Sequence, residues 1–208
     1  MDENPETLRD LVGVLNAMNI PYMVGGSVAL GVWASPRTTH DLDVVVDLPL
    51  TRIAEFCSHF PTDRYYIDPA AMTAALRQPN SPSLGMYSFT DMLSGFKIDL
   101  FPLRPTDAAQ VAAFSNRLTE EVLENQFAAV CSAADLLIQK LRWHTMSGSE
   151  RQFRDCLNLL LVDKQRPQPH IDWQYVEGWV NRLGPAVQQA WAKMKATFAE
   201  IETDRPTP

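Results

Sequence analysis

Two aspartates separated by one leucine open an apolar run, Asp41-Leu42-Asp43 followed by three valines. Alternate side chains of a strand point to the same face, so Asp41 and Asp43 are predicted to project together while Leu42 points the other way. Two carboxylates held side by side repel each other, and burial raises the cost of keeping both ionised. Because a divalent cation between them removes that cost, the pattern predicts a site for Mg²⁺ or Mn²⁺.

A third carboxylate lies in a similar setting further along the chain. Asp99 is the single acid in the apolar segment FKIDLFPL, residues 96–103. If its strand lies beside that of Asp41 and Asp43, three carboxylates can hold two metal ions about 3.5 to 4 Å apart, which is the arrangement used for in-line nucleotidyl transfer. Asp99 is then predicted to bind the ion that activates the acceptor, or to act as a general base.

Two adjacent glycines precede these acids in the stretch Gly25-Gly26-Ser27, directly after the apolar run YMV. Without Cβ atoms the backbone can approach a ligand closely, and amides at the start of the next helix can hold phosphate oxygens. A phosphate site close to a carboxylate pair predicts a metal-bound nucleoside triphosphate (NTP). The alternative is a plain strand-to-helix turn in which Ser27 caps the helix.

Composition limits the partners and the compartment. The chain has 208 residues, 46% of them hydrophobic, and a formal net charge of −7. This charge argues against a protein whose whole surface binds nucleic acid, although a local basic face could contact phosphates. Three widely spaced cysteines without a CxxC pair predict a reduced, cytoplasmic protein without structural zinc. No apolar run approaches the roughly 18 residues of a membrane span, so neither a signal peptide nor an anchor is expected.

The segments that must position the acids alternate between helix and strand. This order indicates an α/β (α+β) domain over residues 1–110, with a mixed sheet flanked by helices. The patterns predict helices at 5–18, 27–33, 51–60 and 70–76, strands at 22–24, 42–46, 64–67, 86–89 and 96–103, and a loop at 78–85.

From about Ala133 onward the pattern becomes helical. We therefore predict a mainly helical C-terminal domain over residues 111–208. The predicted helices cover 134–146, 151–162, 173–182 and 185–201.

The glycines and acids together resemble a known signature. Gly25-Gly26-Ser27, thirteen intervening residues and then Asp41-Leu42-Asp43-Val44 resemble that of the polymerase-beta-like nucleotidyltransferase superfamily, and Ile98-Asp99-Leu100 is similar to its later acid. The resemblance implies the nucleotidyltransferase fold. It also implies transfer of a nucleoside monophosphate from an NTP to a hydroxyl, with Mg²⁺ or Mn²⁺ bound by the catalytic residues Asp41, Asp43 and Asp99.

Other stretches resemble one branch of that superfamily. Residues 36–41, PRTTHD, resemble the Arg-x-Thr-x-Asp segment of minimal nucleotidyltransferases, including AbiEii-like toxins. Residues 134–141 resemble the "EDLI..KL" segment, with Ala134 in place of its usual acid, and residues 149–155 are similar to "SERQ-x-x-D". The resemblance implies nucleotide-binding roles for Gly25, Gly26, Ser27, Arg37, Thr39, Lys140 and Asp155.

Several alternatives stay open on the sequence. Without the resemblance, Lys140 is a solvated lysine on an amphipathic helix, and Asp155 is a helical partner of Arg151. The acceptor is predicted to be tRNA, as in toxin-like relatives that have an antitoxin partner. Small hydroxylated molecules such as aminoglycosides, or a protein, are the alternative acceptors. A further alternative is a nucleotide-binding module without turnover.

Overall fold

The computed structural model describes residues 5–77 and 85–203, which form two compact units. The first unit comprises the chain up to Val32 and from Pro36 to Cys131; the second comprises Trp33 to Ser35 and the chain from Ser132 onward. Of the loop predicted at 78–85, residues 78–84 lie outside the described residues.

The described part of the first unit contains a seven-stranded mixed sheet in the order β3-β4-β5-β2-β1-β7-β6. Strand β2 pairs in parallel with β5 and antiparallel with β1, while β7 pairs in parallel with β1. This sheet confirms the predicted α/β (α+β) class. The strands are β1 (Tyr22–Val24), β2 (Asp41–Val46), β3 (Tyr65–Tyr66), β4 (Tyr87–Asp91), β5 (Phe96–Pro102), β6 (Leu118–Leu123) and β7 (Gln126–Val130).

Two helices of the first unit begin at an aspartate that caps them. The Asp68 carboxylate accepts hydrogen bonds from the amides of Ala70 and Ala71, and Pro69 occupies the first helical turn, where no amide donor is needed. Asp107 caps the following helix in the same way. The helices are α1 (Pro5–Ala17), α2 (Gly26–Trp33), α3 (Ile53–Ser58, preceded by the 3₁₀ turn Leu50–Arg52), α4 (Pro69–Leu76) and α5 (Ala108–Ser115).

An aromatic cluster packs α3 against the β3–β4 edge of the sheet. The ring centroid of Phe60 lies 5.1 Å from that of Phe56, 5.1 Å from that of Phe89 and 5.2 Å from that of Tyr65. All four side chains are buried. Tilted and edge-on pairs at these distances contribute stability beyond the area that they bury.

The β6–β7 hairpin follows the predicted domain boundary in sequence but belongs to the first compact unit. The sequence interpretation ended the first domain at residue 110, whereas the first unit continues to Cys131 because β7 joins β1. Val130 is the strand partner of Val24, and the Cys131 amide donates to the Val24 carbonyl at 2.9 Å. Strand β6 lies at the sheet edge and is largely exposed, so it lacks the apolar run that marks β2 and β5.

The described part of the second unit contains four helices, as predicted. Ser132 caps the first of them by accepting from the Asp135 amide, and Gly148, with φ +68°, ends it in the left-handed region. No described helix in either unit is long and apolar enough to cross a membrane. The four helices are α6 (Ala133–Ser147), α7 (Glu150–Asp163), α8 (Trp173–Leu183) and α9 (Pro185–Thr203).

The three cysteines are buried, and none of them forms a disulfide. Burial raises the pKa of the Cys57 thiol to about 11, with the Asp68 carboxylate adding to the shift. Burial also raises the pKa of the Cys156 thiol to about 12. Since only the thiolate is a strong nucleophile, neither of these two thiols is reactive near neutral pH.

A buried ion pair ties α1 to the end of β4. The Asp91 carboxylate is fully buried and accepts hydrogen bonds from the Thr7 hydroxyl at 2.6 Å, Arg64 Nη2 at 3.0 Å and the Leu93 amide at 3.0 Å. Arg64 Nη1 lies 3.1 Å from Asp10 Oδ2 on α1. Burial alone raises the pKa of Asp91, but the hydrogen bonds from Arg64, Thr7 and Leu93 outweigh it and lower this pKa to about 2.

Replacing this buried acid is expected to destabilise the fold. Asp91→Asn removes the buried charge among those that pair with Arg64, so we expect the free energy of unfolding to fall by about 2 to 4 kcal/mol at pH 7. The folded pKa lies below the unfolded value of about 3.9, so Asp91 contributes its full stability above pH 3.9 and loses it as the pH falls toward 2.

Urea unfolding of both proteins at pH 7 and pH 3 checks this expectation. The difference between wild type and variant should be smaller at pH 3. Glu177→Gln, which alters an exposed pair with Lys195 in the second unit, is the control and should leave stability unchanged. A difference for Asp91→Asn that does not depend on pH would contradict the assigned role of its charge.

Candidate functional site

Strands β2 and β5 bring the three predicted acids to one face of the sheet. Asp43 is the strand partner of Asp99, and Asp41 is the strand partner of Lys97. Side chains alternate along each strand, so these four charged residues share a face, while Leu42 and its partner Ile98 are fully buried on the opposite face. The buried apolar residues between the charged ones therefore hold the two strands against the core, and the charged side chains lie on the other face.

The Gly25-Gly26 turn packs directly against Asp43. The Gly25 amide donates to the Asp43 backbone carbonyl at 2.8 Å, and Gly26 has φ +55°. A Cβ atom placed on Gly26 would lie 1.9 Å from Asp43 Oδ2, which is far inside contact distance. Both the backbone conformation and this close approach require glycine at position 26.

The sequence interpretation proposed Ser27 as the N-cap of α2. In the structure, Ser27 does not cap this helix. The helix begins at Gly26, and the Ala29 amide donates to the Gly25 carbonyl at 3.0 Å, so Ser27 lies inside the first turn. Its side chain is buried. The N-terminal turn of α2 nevertheless lies beside the Asp43 carboxylate, where the glycine signature predicted it.

Thr39 holds the first acid of the pair. Its buried hydroxyl donates to Asp41 Oδ1 and lies 3.3 Å from the Asp41 carbonyl oxygen. Arg37 is half-buried in the same loop, with Nη1 3.4 Å from the carbonyl oxygen of Thr38. The structure thus assigns Thr39 a direct contact with the Asp41 carboxylate, which the sequence did not predict.

Both carboxylate oxygens of Asp99 have close partners. The Ser88 hydroxyl donates to Oδ1 at 2.5 Å, and Lys97 Nζ lies 2.8 Å from Oδ2. Ser88 is the strand partner of Asp99 across β4 and β5. The sequence interpretation missed Ser88 and Lys97. The signal for Lys97 was its place two residues before Asp99, where a strand presents it to the same face.

The site as a whole carries an excess of negative charge. The hydrogen bond to Asp99 raises the pKa of the Lys97 ammonium, burial opposes this effect, and the charges of Asp99, Asp41 and Asp43 add to the increase. Lys97 therefore stays charged at neutral pH. Three carboxylates against one ammonium leave a local field that attracts cations.

The donor set fits Mg²⁺ or Mn²⁺ in chemistry, since both ions prefer carboxylate oxygens. Within residues 5–77 and 85–203, however, no three His, Cys, Asp or Glu side chains are grouped closely enough to hold a metal ion. Lys97 already engages one oxygen of Asp99. The donor chemistry of this face therefore fits such a cation, while the described side chains do not form a cluster of three ligands.

Lys140 and Asp155 form a buried ion pair in the second unit. Lys140 Nζ on α6 lies 2.8 Å from Asp155 Oδ2 on α7 and 3.4 Å from Gln152 Oε1. Their side chains are only 4% and 6% exposed, so the solvated lysine that the helix pattern suggested is wrong. The two residues that the sequence resemblance singled out are thus brought together, although fifteen positions separate them.

Comparison with known proteins supports the fold. No known protein-family profile matches the chain, and no curated protein is significantly similar to it in sequence. Among solved structures, an antigenic nucleotidyltransferase-like protein from Paracoccidioides brasiliensis matches with a TM-score of 0.57 and 16% identity, over 95% of this chain and 90% of that one. The chain therefore has a nucleotidyltransferase-like fold, as the sequence resemblance implied.

Two further structures are similar at lower scores. A lincomycin-bound lincosamide antibiotic adenylyltransferase has a TM-score of 0.46 and 13% identity, over 76% of this chain and 98% of that one. The antibiotic-resistance factor ANT(2″)-Ia has a TM-score of 0.42 and 13% identity, over 95% of this chain and 94% of that one.

The contact between Gly26 and Asp43 can be tested by adding one methyl group. Gly26→Ala places a carbon where Asp43 Oδ2 lies, so the carboxylate must move by an ångström or more. A displacement of that size at a reacting centre costs about a hundredfold in rate. The function proposed below predicts that nucleotide transfer by the variant falls by at least that factor, as measured by incorporation of labelled NTP.

Gly95→Ala is the matched control for this substitution. Gly95 lies in the same unit and has φ +71°, so alanine is strained there too, but nothing lies within 4 Å of the added carbon. Both variants should lose about 1 to 2 kcal/mol of stability from backbone strain. Equal activity losses in the two variants would contradict the importance of the Gly26–Asp43 contact.

Proposed function

We propose that the protein is a metal-dependent nucleotidyltransferase, which transfers a nucleoside monophosphate from an NTP to a hydroxyl acceptor. The observation that carries the proposal is the contact of the Gly25-Gly26 turn with Asp43, whose strand partner is Asp99. The N-terminus of α2, which like other helix N-termini carries amide donors suited to phosphate oxygens, and a row of carboxylates that attracts a cation are thereby adjacent. A nucleotidyltransferase-like fold alone does not imply activity, so the proposal depends on this site.

Each side chain has a role in the proposed reaction. Asp41, positioned by Thr39, and Asp43 would hold Mg²⁺ or Mn²⁺. When bound there, the ion would supply positive charge that neutralises the triphosphate and the departing pyrophosphate. The amides that begin α2 hold phosphate oxygens, because the helix N-terminus carries unpaired donors and a partial positive charge. Asp99 accepts the proton of the attacking hydroxyl, which becomes bonded to the α-phosphorus as pyrophosphate leaves.

We also propose that Lys140 and Asp155 contribute to nucleotide binding, with Lys140 near the phosphates and Asp155 fixing its ammonium group. The support is their burial as an ion pair and their match to the motif of minimal nucleotidyltransferases. Burying two charges is costly, so a buried ion pair is weak evidence for a purely stabilising role. Arg37 and Ser27 complete the proposed nucleotide-binding set.

For the acceptor, we propose tRNA, as the sequence resemblance to toxin-like minimal nucleotidyltransferases implies, with an antitoxin as partner. The net charge of −7 favours the second candidate, a small cationic hydroxylated molecule such as an aminoglycoside. Two alternatives remain: a protein acceptor, and a nucleotide-binding module without turnover. The labelling experiment below distinguishes them from the tRNA and aminoglycoside acceptors. The buried cysteines, none of them in a disulfide, support the proposed cytoplasmic location.

Transfer of label from each α-labelled NTP tests the function. Wild-type protein with Mg²⁺ is incubated with total RNA, total protein or a mixture of aminoglycosides, and label in each pool is measured. We expect Asp43→Asn to lose at least about a hundredfold in rate, because a neutral amide holds a divalent cation several kcal/mol more weakly.

Asp47→Asn is the matched control, since Asp47 is an exposed acid directly after β2. It should transfer label like the wild type. Label in RNA identifies the toxin-like acceptor, whereas label in the aminoglycoside or protein pool identifies the alternatives. NTP binding without label in any pool would contradict the proposed enzymatic activity. It would support the alternative of a nucleotide-binding module without turnover.

A pair of variants separates stability from activity at Lys140 and Asp155. Lys140→Met alone leaves a buried carboxylate without its lysine, which should cost about 3 to 5 kcal/mol of stability. The double variant Lys140→Met/Asp155→Leu replaces the pair with apolar side chains and should recover most of that stability. Thermal unfolding and label incorporation are measured together. Transfer at the wild-type rate by the stable double variant would contradict the nucleotide-binding role.

A further inference from the structure

The positive charge of Lys97 lies within the row of acids. Lys97 is the strand partner of Asp41 and lies two positions before Asp99 on β5, so its side chain shares their face of the sheet. Its Nζ atom is 2.8 Å from Asp99 Oδ2. The ammonium group therefore already binds one of the three carboxylates expected to hold metal.

The two members of this pair differ in exposure. The Asp99 side chain is 7% exposed and accepts a second hydrogen bond from Ser88 on the neighbouring strand. The Lys97 side chain is 44% exposed, and it can turn toward solvent without uncovering the core. Asp99 thus has a buried carboxylate and a cationic partner whose side chain reaches solvent.

We propose that Lys97 and a divalent cation compete for Asp99, so that Lys97 is the built-in counter-ion of this acid until a cation takes its place. The proposal rests on the proposed function, because it concerns the same carboxylates. While the Lys97 contact holds, Asp41 and Asp43 bind a cation without Asp99. When Lys97 leaves, Asp99 joins the metal ligands or accepts the proton of the acceptor.

The electrostatic consequence is measurable as metal affinity. A charge within about 4 to 6 Å of an ionisable group shifts its proton-binding equilibrium by about one to three powers of ten, and the same electrostatic field acts on a bound metal cation. Removing the Lys97 charge leaves three carboxylates without a competing cation. We therefore expect Lys97→Met to bind Mn²⁺ at least about tenfold more tightly than the wild type.

The experiment is a titration of the full chain with Mn²⁺, in which the electron paramagnetic resonance signal reports free Mn²⁺. Lys97→Arg keeps the charge and should stay within about threefold of the wild type, whereas Lys97→Met should show the increase. Lys195→Met is the matched control. Lys195 also pairs with a carboxylate, Glu177, at 2.8 Å, and its side chain is 43% exposed, but it lies on α9, outside the acid row.

The outcomes separate this proposal from the proposed function. Equal Mn²⁺ affinity in Lys97→Met and Lys195→Met, or weaker binding in Lys97→Met, overturns the competition, even if label transfer still depends on Asp43. Tighter binding in Lys97→Met supports it, even if the wild type transfers no label. If Lys97→Met is not recovered folded, Lys97→Gln makes the same removal of charge and is judged by the same criterion. No Mn²⁺ binding by any of these proteins overturns both proposals.

Discussion

The close approach of Gly26 to Asp43 is the contact on which the rest of the site depends. With 1.9 Å between Asp43 Oδ2 and the place of a Cβ atom, the chain can turn from β1 into α2 at this point only with glycine. The turn places the start of α2 beside the Asp43 side chain. The antiparallel pairing of β1 with β2, from Tyr22↔Val46 to Val24↔Val44, keeps turn and carboxylate in register.

Charge balance is the second constraint on this face. Asp41, Asp43 and Asp99 are held on one side of β2 and β5 because the residues between them are buried in the core on the other side. Thr39 and Ser88 supply hydrogen bonds and Lys97 supplies a positive charge, so the folded chain tolerates carboxylates that would otherwise repel each other. The remaining negative charge gives the site its preference for a cation.

The sequence predicted this part of the fold because its signals are local. Two carboxylates at alternate positions in an apolar run define the exposed face of β2, and a glycine pair after a short strand defines the turn. The same reasoning did not find the β6–β7 hairpin, since an exposed edge strand that contains Glu120 and Glu121 has no apolar run. Asn125, with φ +59° between β6 and β7, was the turn signal that could have marked it.

Pairings between distant residues could not be predicted from pattern alone. Lys97 is the partner of Asp41 because β2 and β5 pair in this parallel register. Ser88 reaches Asp99 because β4 lies beside β5. The burial of Lys140 against Asp155 depends on how α6 packs against α7, and the helix pattern by itself favoured a solvated lysine. In each case, tertiary packing determined the partner of a charged group that the local pattern left open.

The central claim, that the Gly25-Gly26 turn and the carboxylate row together bind a metal–NTP complex, is tested most directly by crystallography. Crystals are grown with Mn²⁺ and an NTP analogue that cannot be cleaved between the α- and β-phosphates, and the anomalous signal of Mn²⁺ is located. We predict a Mn²⁺ peak in contact with Asp41 and Asp43, and phosphate oxygens at the amides that begin α2. A nucleotide bound elsewhere, or Mn²⁺ that does not contact these two acids, would contradict the claim.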